Sequence, residues 1–377
     1  MESGNSQVVD LFLELAATPS PPGEERAVAD IVLRYLGDLG LAADEDGCGA
    51  EIDATAGNVY ARLEPTSDGT PLFFCAHFDT VPPDGRLEPV VDDGVIRNAG
   101  GTILGADNKS AIVAMLEGVR RVLAENRPHA GIELVFTPKE EVGLVGAYAF
   151  DHDRLRAEIG YVYDQAAPIG EIILGAPWSQ SMEVRFHGRA AHAGMFPEEG
   201  RSAIQAAAKA IADLRLGRID DETTANVGVI KGGTGGNIVP EWCSFLAEAR
   251  AQDESKLKAI VQEMLDAFSF AATATDCEVQ ASVRKSYQGY RFKRDDGAVE
   301  LAAGALTRCG YTPTYALSGG GADANVFNER GRRCVNLANG MTDIHTPDER
   351  IAVADLEAMV DVTLALLDVA AETGDAG

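Results

Sequence analysis

Two hydrophobic rhythms divide the chain. Up to residue 164, short apolar runs alternate with longer stretches whose apolar positions recur every third or fourth residue. The segment from about Asn58 to Leu63, PLFFCAHFD ending at Asp79, GIELVFTP, and IGYVYD ending at Asp164 read as strands. Ser6 to Ala17, Glu24 to Leu39, and a stretch that begins near Asp107 and continues through AIVAMLEGVRRVLAE read as helices. TPSPPGEE turns the chain between the first two helices. Strands alternating with helices predict an α/β sheet, parallel or mixed.

The middle of the chain has a different order. SMEVRFHG is a strand pattern, Ser202 to Leu214 is helical, and TTANVGVIKG and CSFLAEARA are strands joined by GGTGGNIVPEW. Glu254 to Ala272 is helical and EVQASVRKSYQ is a strand. Strand, helix, strand, strand, helix, strand is the split βαβ, ferredoxin-like α+β arrangement. The α/β rhythm then resumes with a helix from about Gly297, the strand TPTYAL, a helix near Asp323, the strand RRCVNLA and a long helix from about Ala354. The expectation is a discontinuous α/β domain, residues 1–176 and 287–377, with a mixed sheet flanked by helices. Residues 177–286 form the insert. A chain of 377 residues exceeds what one core usually holds, which agrees with two domains.

Composition narrows the function classes. Apolar residues make up 46% of the chain, and no stretch approaches the roughly 20 apolar residues of a membrane span. MESGNSQVVD has neither the basic start nor the apolar core of a secretory signal, so the expected location is cytoplasmic. A net charge of −27 argues against nucleic acid and anionic membranes as partners. The six cysteines, at 48, 75, 243, 277, 309 and 334, form no C-x-x-C pair, so they are expected as reduced thiols rather than a zinc knuckle.

The chemistry concentrates at strand ends. In a strand, alternate residues share a face, which would point His77 and Asp79 the same way. Imidazole is a good metal ligand, and a nearby carboxylate can fix its tautomer. Asp107, in GADNKSA, opens a helix; it either caps that helix or presents one oxygen to each of two cations. Glu140 and Glu141 follow an apolar strand, at the kind of sheet edge where α/β enzymes place their chemistry. One of the pair can bind metal while the other acts as general base. Asp164 ends another apolar strand, and His345 stands far away in NGMTDIHTPDER, where it could close the set.

Taken together, HFDTVP, GADNKSA, TPKEEVGLVGA, the aspartate of VYDQAAP and the histidine of IHTPDE occur in one order across nearly the whole chain. This pattern resembles the dizinc exopeptidases that include peptidase T, carboxypeptidase G, aminoacylase and succinyl-diaminopimelate desuccinylase, with wording most like the peptidase T branch. The resemblance implies one metal held by His77 and Asp164, a second held by Glu141 and His345, and Asp107 bridging them. It makes Asp79 the group that orients His77 and Glu140 the general base. Two cations about 3.5–4 Å apart lower the pKa of a shared water toward about 7. The mixed imidazole and carboxylate set suits two Zn2+, with Mn2+ or Co2+ as alternatives.

The insert is implied to be a lid and dimerisation domain, so a homodimer is expected. In HGRAAHAGMFPEEGRSAI, His192 matches the family's oxyanion-stabilising position, acting within its own site or across a dimer. GGTGGNIVPE lacks the Lys-Ser/Thr ending of a phosphate loop, and the family reading makes Asn237 a substrate contact. Arg250 would hold the substrate carboxylate. SGGGADANVF resembles a family loop beside the active site but is assigned no catalytic residue. Asn108 departs from the family, which commonly has a second aspartate there.

The leading expectation is a tripeptide aminopeptidase. Its rivals are a carboxypeptidase or an N-acyl amino acid deacylase of the same fold, so the substrate is a short peptide or an acylated amino acid. A metal- or peptide-binding protein without activity should have lost Glu140 or a ligand, and neither is missing.

Overall fold

The computed structural model describes residues 3–373 and separates into two compact units, one formed by Ala176–Tyr290 and one by the chain on either side of it. The larger unit opens with helices α1 (Ser3–Ala17) and α2 (Arg26–Asp38) and strands β1 (Ala43–Glu45), β2 (Val59–Leu63) and β3 (Leu72–His77). A hairpin of β4 (Pro89–Asp92) and β5 (Val95–Asn98) precedes α3 (Ala106–Glu125), β6 (Ile132–Thr137), α4 (Val145–Ala149), β7 (Ile159–Gln165) and β8 (Glu171–Ala176). The second unit contains β9 (Trp178–His187), α5 (Ala203–Asp213), β10 (Gly217–Asp220), β11 (Thr223–Gly232), β12 (Trp242–Ala251), α6 (Glu254–Ala274) and β13 (Glu278–Tyr287). The chain returns through β14 (Tyr290–Arg291), α7 (Gly297–Arg308), β15 (Thr314–Leu317), α8 (Asp323–Glu329), β16 (Arg333–Ala338), β17 (Arg350–Ala352) and α9 (Val353–Glu372).

In the larger unit a nine-stranded mixed sheet runs β1-β2-β6-β3-β7-β16-β8-β14, with β15 on β8. Its centre is parallel: β6 pairs with β3, β3 with β7, and β7 with β16 in that sense. Every residue of β3 and β6 is buried, as expected of parallel strands covered on both faces. Helix α3 is buried on all sides from Ala106 to Val119 and packs against β3, α1 and α9. From Ala111 to Leu116 the helix is apolar on every face, as a helix inside a core must be. Four parallel strands place their C-terminal ends along one edge of the sheet, which is where open α/β sheets bind ligands.

Two local features differ from the sequence expectation. Strand β3 stops at His77, so Asp79 lies in the loop beyond it and the alternation argument does not place its side chain. The β4–β5 hairpin has no readable period, because each strand is four residues long and β4 has no buried position. Its partner, β17, comes from the far end of the chain.

The second unit is an antiparallel sheet in the order β10-β11-β12-β9-β13. Apart from the short added strand β10, this is the ferredoxin-like order. Met182, Val184, Phe186 and Phe245 pack with Leu257, Met264 and Phe268 of α6 and the alanines of α5. Ser202 caps α5 by accepting from the Gln205 N–H, and Asp253 caps α6 by accepting from the Lys256 N–H. Among the described residues, no helix is long and apolar enough to cross a membrane.

Strand β7 depends on one glycine. Gly160 stands opposite Phe73 in the β3–β7 register, and a Cβ there would meet the Phe73 ring at 2.2 Å. Phe73 is fully buried and its ring lies 4.9 Å from that of Phe327, so it has no room to retreat. Gly160→Ala should destabilise the protein by about 1–3 kcal/mol in urea unfolding. An unchanged midpoint would contradict this close packing of the strand that carries Asp164.

Candidate metal centre

The edge formed by the ends of β3, β6 and β7 carries His77, Glu140, Glu141 and Asp164. Asp107 arrives from the start of α3, after Gly105 turns the chain in the left-handed region with φ 77°. Asp107 and Asn108 depart from helical backbone, so the regular helix begins behind them. Lys139, just before Glu140, and His345 also adopt left-handed φ, 57° and 62°. Such conformations cost a non-glycine residue about 1–2 kcal/mol, and here they set the direction of the site residues.

The carboxylate of Asp107 stands between two imidazoles. Its Oδ1 lies 3.3 Å from His77 Nε2, and its Oδ2 lies 3.2 Å from His345 Nε2. His345 Nε2 is also 3.1 Å from Glu141 Oε1. Asp107 Oδ1 and Glu141 Oε1 are buried yet make no hydrogen bond, so these approaches bring the atoms close without hydrogen-bond alignment. His77, Asp107 and Glu141 each offer a ligand atom, all within 4.8 Å of one another. Buried carboxylate oxygens and imidazole nitrogens converging without mutual hydrogen bonds form a donor set suited to cations, and the residues therefore fit a metal centre.

The surrounding groups fix the ligand atoms. His77 Nδ1 lies 2.8 Å from the backbone carbonyl of Asp79, whereas the Asp79 carboxylate is 3.5 Å away. With its proton on Nδ1, the ring keeps the Nε2 lone pair for Asp107's side of the site. The Asp79 carboxylate instead accepts the N–H groups of Glu140 (2.9 Å) and Glu141 (3.1 Å), holding the turn that carries both glutamates. The Asp164 N–H donates to Asn336 Oδ1, and Asn336 Nδ2 donates back to the Asp164 carbonyl. Asn108 Nδ2 donates to the carbonyl of Tyr163 and sits 3.4 Å from Asp164 Oδ1. Cys75 is buried, and its thiol donates to Asp323, which also accepts from Thr137 Oγ1.

Electrostatics reflect the excess of carboxylates. Burial raises the Glu140 carboxyl well above its ordinary value; His77 opposes this, while Asp164, Asp323 and Glu141 add to it. Burial and Asp107 do the same to Asp164. Burial disfavours the charged form of His77, but Asp107, Asp79 and Glu140 outweigh it and hold the imidazole well above its usual range. Asp107 and Glu141 push His345 up to about 10. Burial likewise opposes ionisation of Asp107, but His345 and His77 keep its carboxyl below the usual range.

The other expected site residues lie in the second unit. His192 and Asn237 are exposed and sit on neighbouring segments, joined by the Ala193 N–H to the Asn237 carbonyl at 3.0 Å. His192 Nδ1 accepts from the N–H groups of Gly194 and Met195, which leaves its proton on Nε2. Arg250 Nη2 donates to Glu248 at 3.0 Å. His187 stacks on Trp242, with centroids 4.1 Å apart. Sequence reasoning missed Asn336 and Glu349, both nearly inaccessible. A polar residue within the apolar run RRCVNLA was the available sign for Asn336, whereas Glu349 sits in a stretch that reads as solvated loop.

In the metal-free protein the raised groups have a pH signature. Glu140, Asp164, His77 and His345 all hold protons more tightly folded than unfolded, so each favours the folded state at lower pH. The carboxyl contributions begin to be lost above the ordinary carboxylate values of about 4, and the histidine contributions are lost as pH rises from about 6.5 toward the value of about 10 for His345. Thermal unfolding of chelator-treated protein should show Tm falling across this window, while metal-loaded protein, whose ligands have already lost their protons, falls less. Parallel profiles with and without metal would contradict the assignment.

Comparison with known proteins bears on the family and the fold. Residues 178–286 match the peptidase dimerisation domain, and residues 58–170 match peptidase family M28. The uncharacterized protein YqjE of Bacillus subtilis is 37% identical, over 97% of this chain and 99% of its own. The crystal structure of the aminopeptidase PepT from Bacillus cereus is 39% identical with a TM-score of 0.88, covering 97% of this chain and 99% of that one. A tripeptidase from Staphylococcus aureus is 34% identical with a TM-score of 0.92, covering 98% and 99%. A structure 39% identical and matched along nearly its whole length, together with the dimerisation domain, shows that the chain belongs to the peptidase T-like branch of the M20 metallopeptidases.

Proposed function

We propose that this metallopeptidase is a dizinc aminopeptidase that removes the N-terminal residue of tripeptides. The observation that carries the metal assignment is the Asp107 carboxylate, whose two oxygens each face a different imidazole Nε2 at 3.2–3.3 Å. In this reading His77 and Asp164 hold one cation, Glu141 and His345 hold the other, and Asp107 is shared. The mixed nitrogen and oxygen donors favour zinc, with manganese or cobalt as substitutes. Bound there, the cations supply Lewis acidity toward the scissile carbonyl and a water of lowered pKa.

The chain's own residues do the rest. Glu140 is nearly buried, and its Oε2 lies 4.0 Å from His77 Nε2, beside the ligand set but free of it. Its carboxylate takes the proton of the attacking water and then delivers it to the nitrogen of the leaving amine. The backbone N–H groups of Glu140 and Glu141 are tied to Asp79, so base and ligand move as one turn. His192, with its proton on Nε2, is a donor suited to the carbonyl oxygen as negative charge develops. Asn237 and Arg250 contact the substrate, Arg250 through its carboxylate. The second unit, matched by a peptidase dimerisation domain, would join two copies into a homodimer.

The preference for tripeptides and for the free amino end draws support from the two solved relatives, one an aminopeptidase and the other a tripeptidase. The test is turnover of free-amine tripeptides against N-acylated amino acids and amino-blocked dipeptides, the last being substrates for a carboxypeptidase. Release of the N-terminal residue from tripeptides is expected; cleavage confined to the acylated amino acids would sink the aminopeptidase reading. Glu140→Gln should keep its metal content and lose at least about 10²-fold in kcat. Near-normal turnover would reject Glu140 as the base. His192→Ala should lower kcat with metal content unchanged, and unaltered kinetics would make it an ordinary surface histidine.

A further inference from the structure

Glu349 lies four residues beyond His345 in the polar stretch DIHTPDER, yet it is only 1% exposed. Its carboxylate reaches across 242 positions of sequence to the turn that delivers Asp107. Oε2 accepts the N–H groups of Leu104 at 2.7 Å and Gly105 at 2.8 Å, and Oε1 accepts that of Asp107 at 3.0 Å. One carboxylate thus takes three backbone donors from four consecutive residues.

The segments on either side are fixed as well. Strand β17 begins at Arg350, directly after Glu349, and pairs with β5, directly before the loop that leads to Asp107. At the end of β5, Asn98 Nδ2 donates to the carbonyls of Arg86, Thr102 and Ile103, and its Oδ1 accepts from the N–H groups of Glu88 and Gly100. The loop carrying His345 is closed at its base by paired hydrogen bonds between Thr342 and Arg350. This closed loop therefore meets Asp107 twice. His345 faces its carboxylate, and Glu349 grips its backbone.

We infer that Glu349 is a positioning residue that locks the Asp107 turn and the His345 loop in register, so that the two ligands are presented to metal together. The inference rests on the metal-centre reading of Asp107 and His345. The chemistry favours a carboxylate over any neutral group. Three N–H donors need at least two acceptor oxygens, and a glutamine would turn an NH2 toward one of them. Placing another negative group beside a site already rich in carboxylates is unfavourable, so the gain must come from the three hydrogen bonds.

The test is titration of chelator-treated protein with Co2+, read by its visible absorption spectrum, together with hydrogen exchange at the amides of Leu104, Gly105 and Asp107. Wild type, Glu349→Gln and the shorter Glu349→Asp are compared. Both variants should remain folded and still take up two ions. They should bind Co2+ about 10–100-fold more weakly, the range typical when a group supporting metal ligands is lost. Their Co2+ spectra should shift and the three amides should exchange faster. Wild-type affinity and spectra in both variants would overturn the inference. So would a normal Glu349→Asp beside a weakened Glu349→Gln, because charge alone would then suffice. Loss of the fold in both variants would overturn it too, by making Glu349 a residue of general stability. Wild type that takes up fewer than two ions would instead refute the metal-centre reading on which the inference stands.

Discussion

The constraint that organises this protein is the confinement of carboxylates with too few positive partners. Asp79, Asp107 and Glu140 are buried, and Glu141 and Asp164 join them, against the imidazoles of His77 and His345. Asp79 is satisfied by two backbone N–H groups, but oxygens of Asp107 and Glu141 are left without hydrogen bonds. Burying a carboxylate without compensation is expensive, and the available responses are protonation or a cation. The upward displacement of Glu140, Asp164 and both histidines is the metal-free response, in which protons stand where cations would. Metal binding and proton release are therefore two sides of one equilibrium.

The fold makes this concentration of charge possible by bringing distant segments to one edge. Parallel pairing of β6, β3, β7 and β16 sets their C-terminal ends side by side, and the buried helix α3 brings Asp107 to the same place. The loops that carry the candidate ligands are held by side chains rather than by regular structure. Asp79 holds the Glu140–Glu141 turn, Asn336 holds Asp164, and Glu349 holds the approach to Asp107. A ligand set spread over loops gains its precision from such supporting hydrogen bonds.

Much of this was legible in the sequence because it has a local signature. The largely apolar runs of β3 and β6 and the periodicity of α3 identify themselves as buried elements, and the candidate ligands stand at or just past their ends. The ferredoxin-like order of the second unit was readable from its succession of periods. The task of Asp79 was not. Strand alternation suggested that its carboxylate would orient His77, but β3 ends at His77 and the Asp79 carbonyl makes the short contact instead. The β4–β5 hairpin and Glu349 were also hidden. Their partners lie more than two hundred residues away, and nothing in VVDDGVIRN or DIHTPDER distinguishes a buried brace from a solvated loop.

The central claim is that Asp107 is shared between two cations. Anomalous diffraction from metal-loaded crystals, collected at the absorption edge of the bound ion, tests it directly. Two anomalous peaks are expected, one on the His77 side and one on the His345 side. Each should lie about 2.0–2.2 Å from a different oxygen of Asp107. A single peak, or two ions of which Asp107 touches only one, would contradict it.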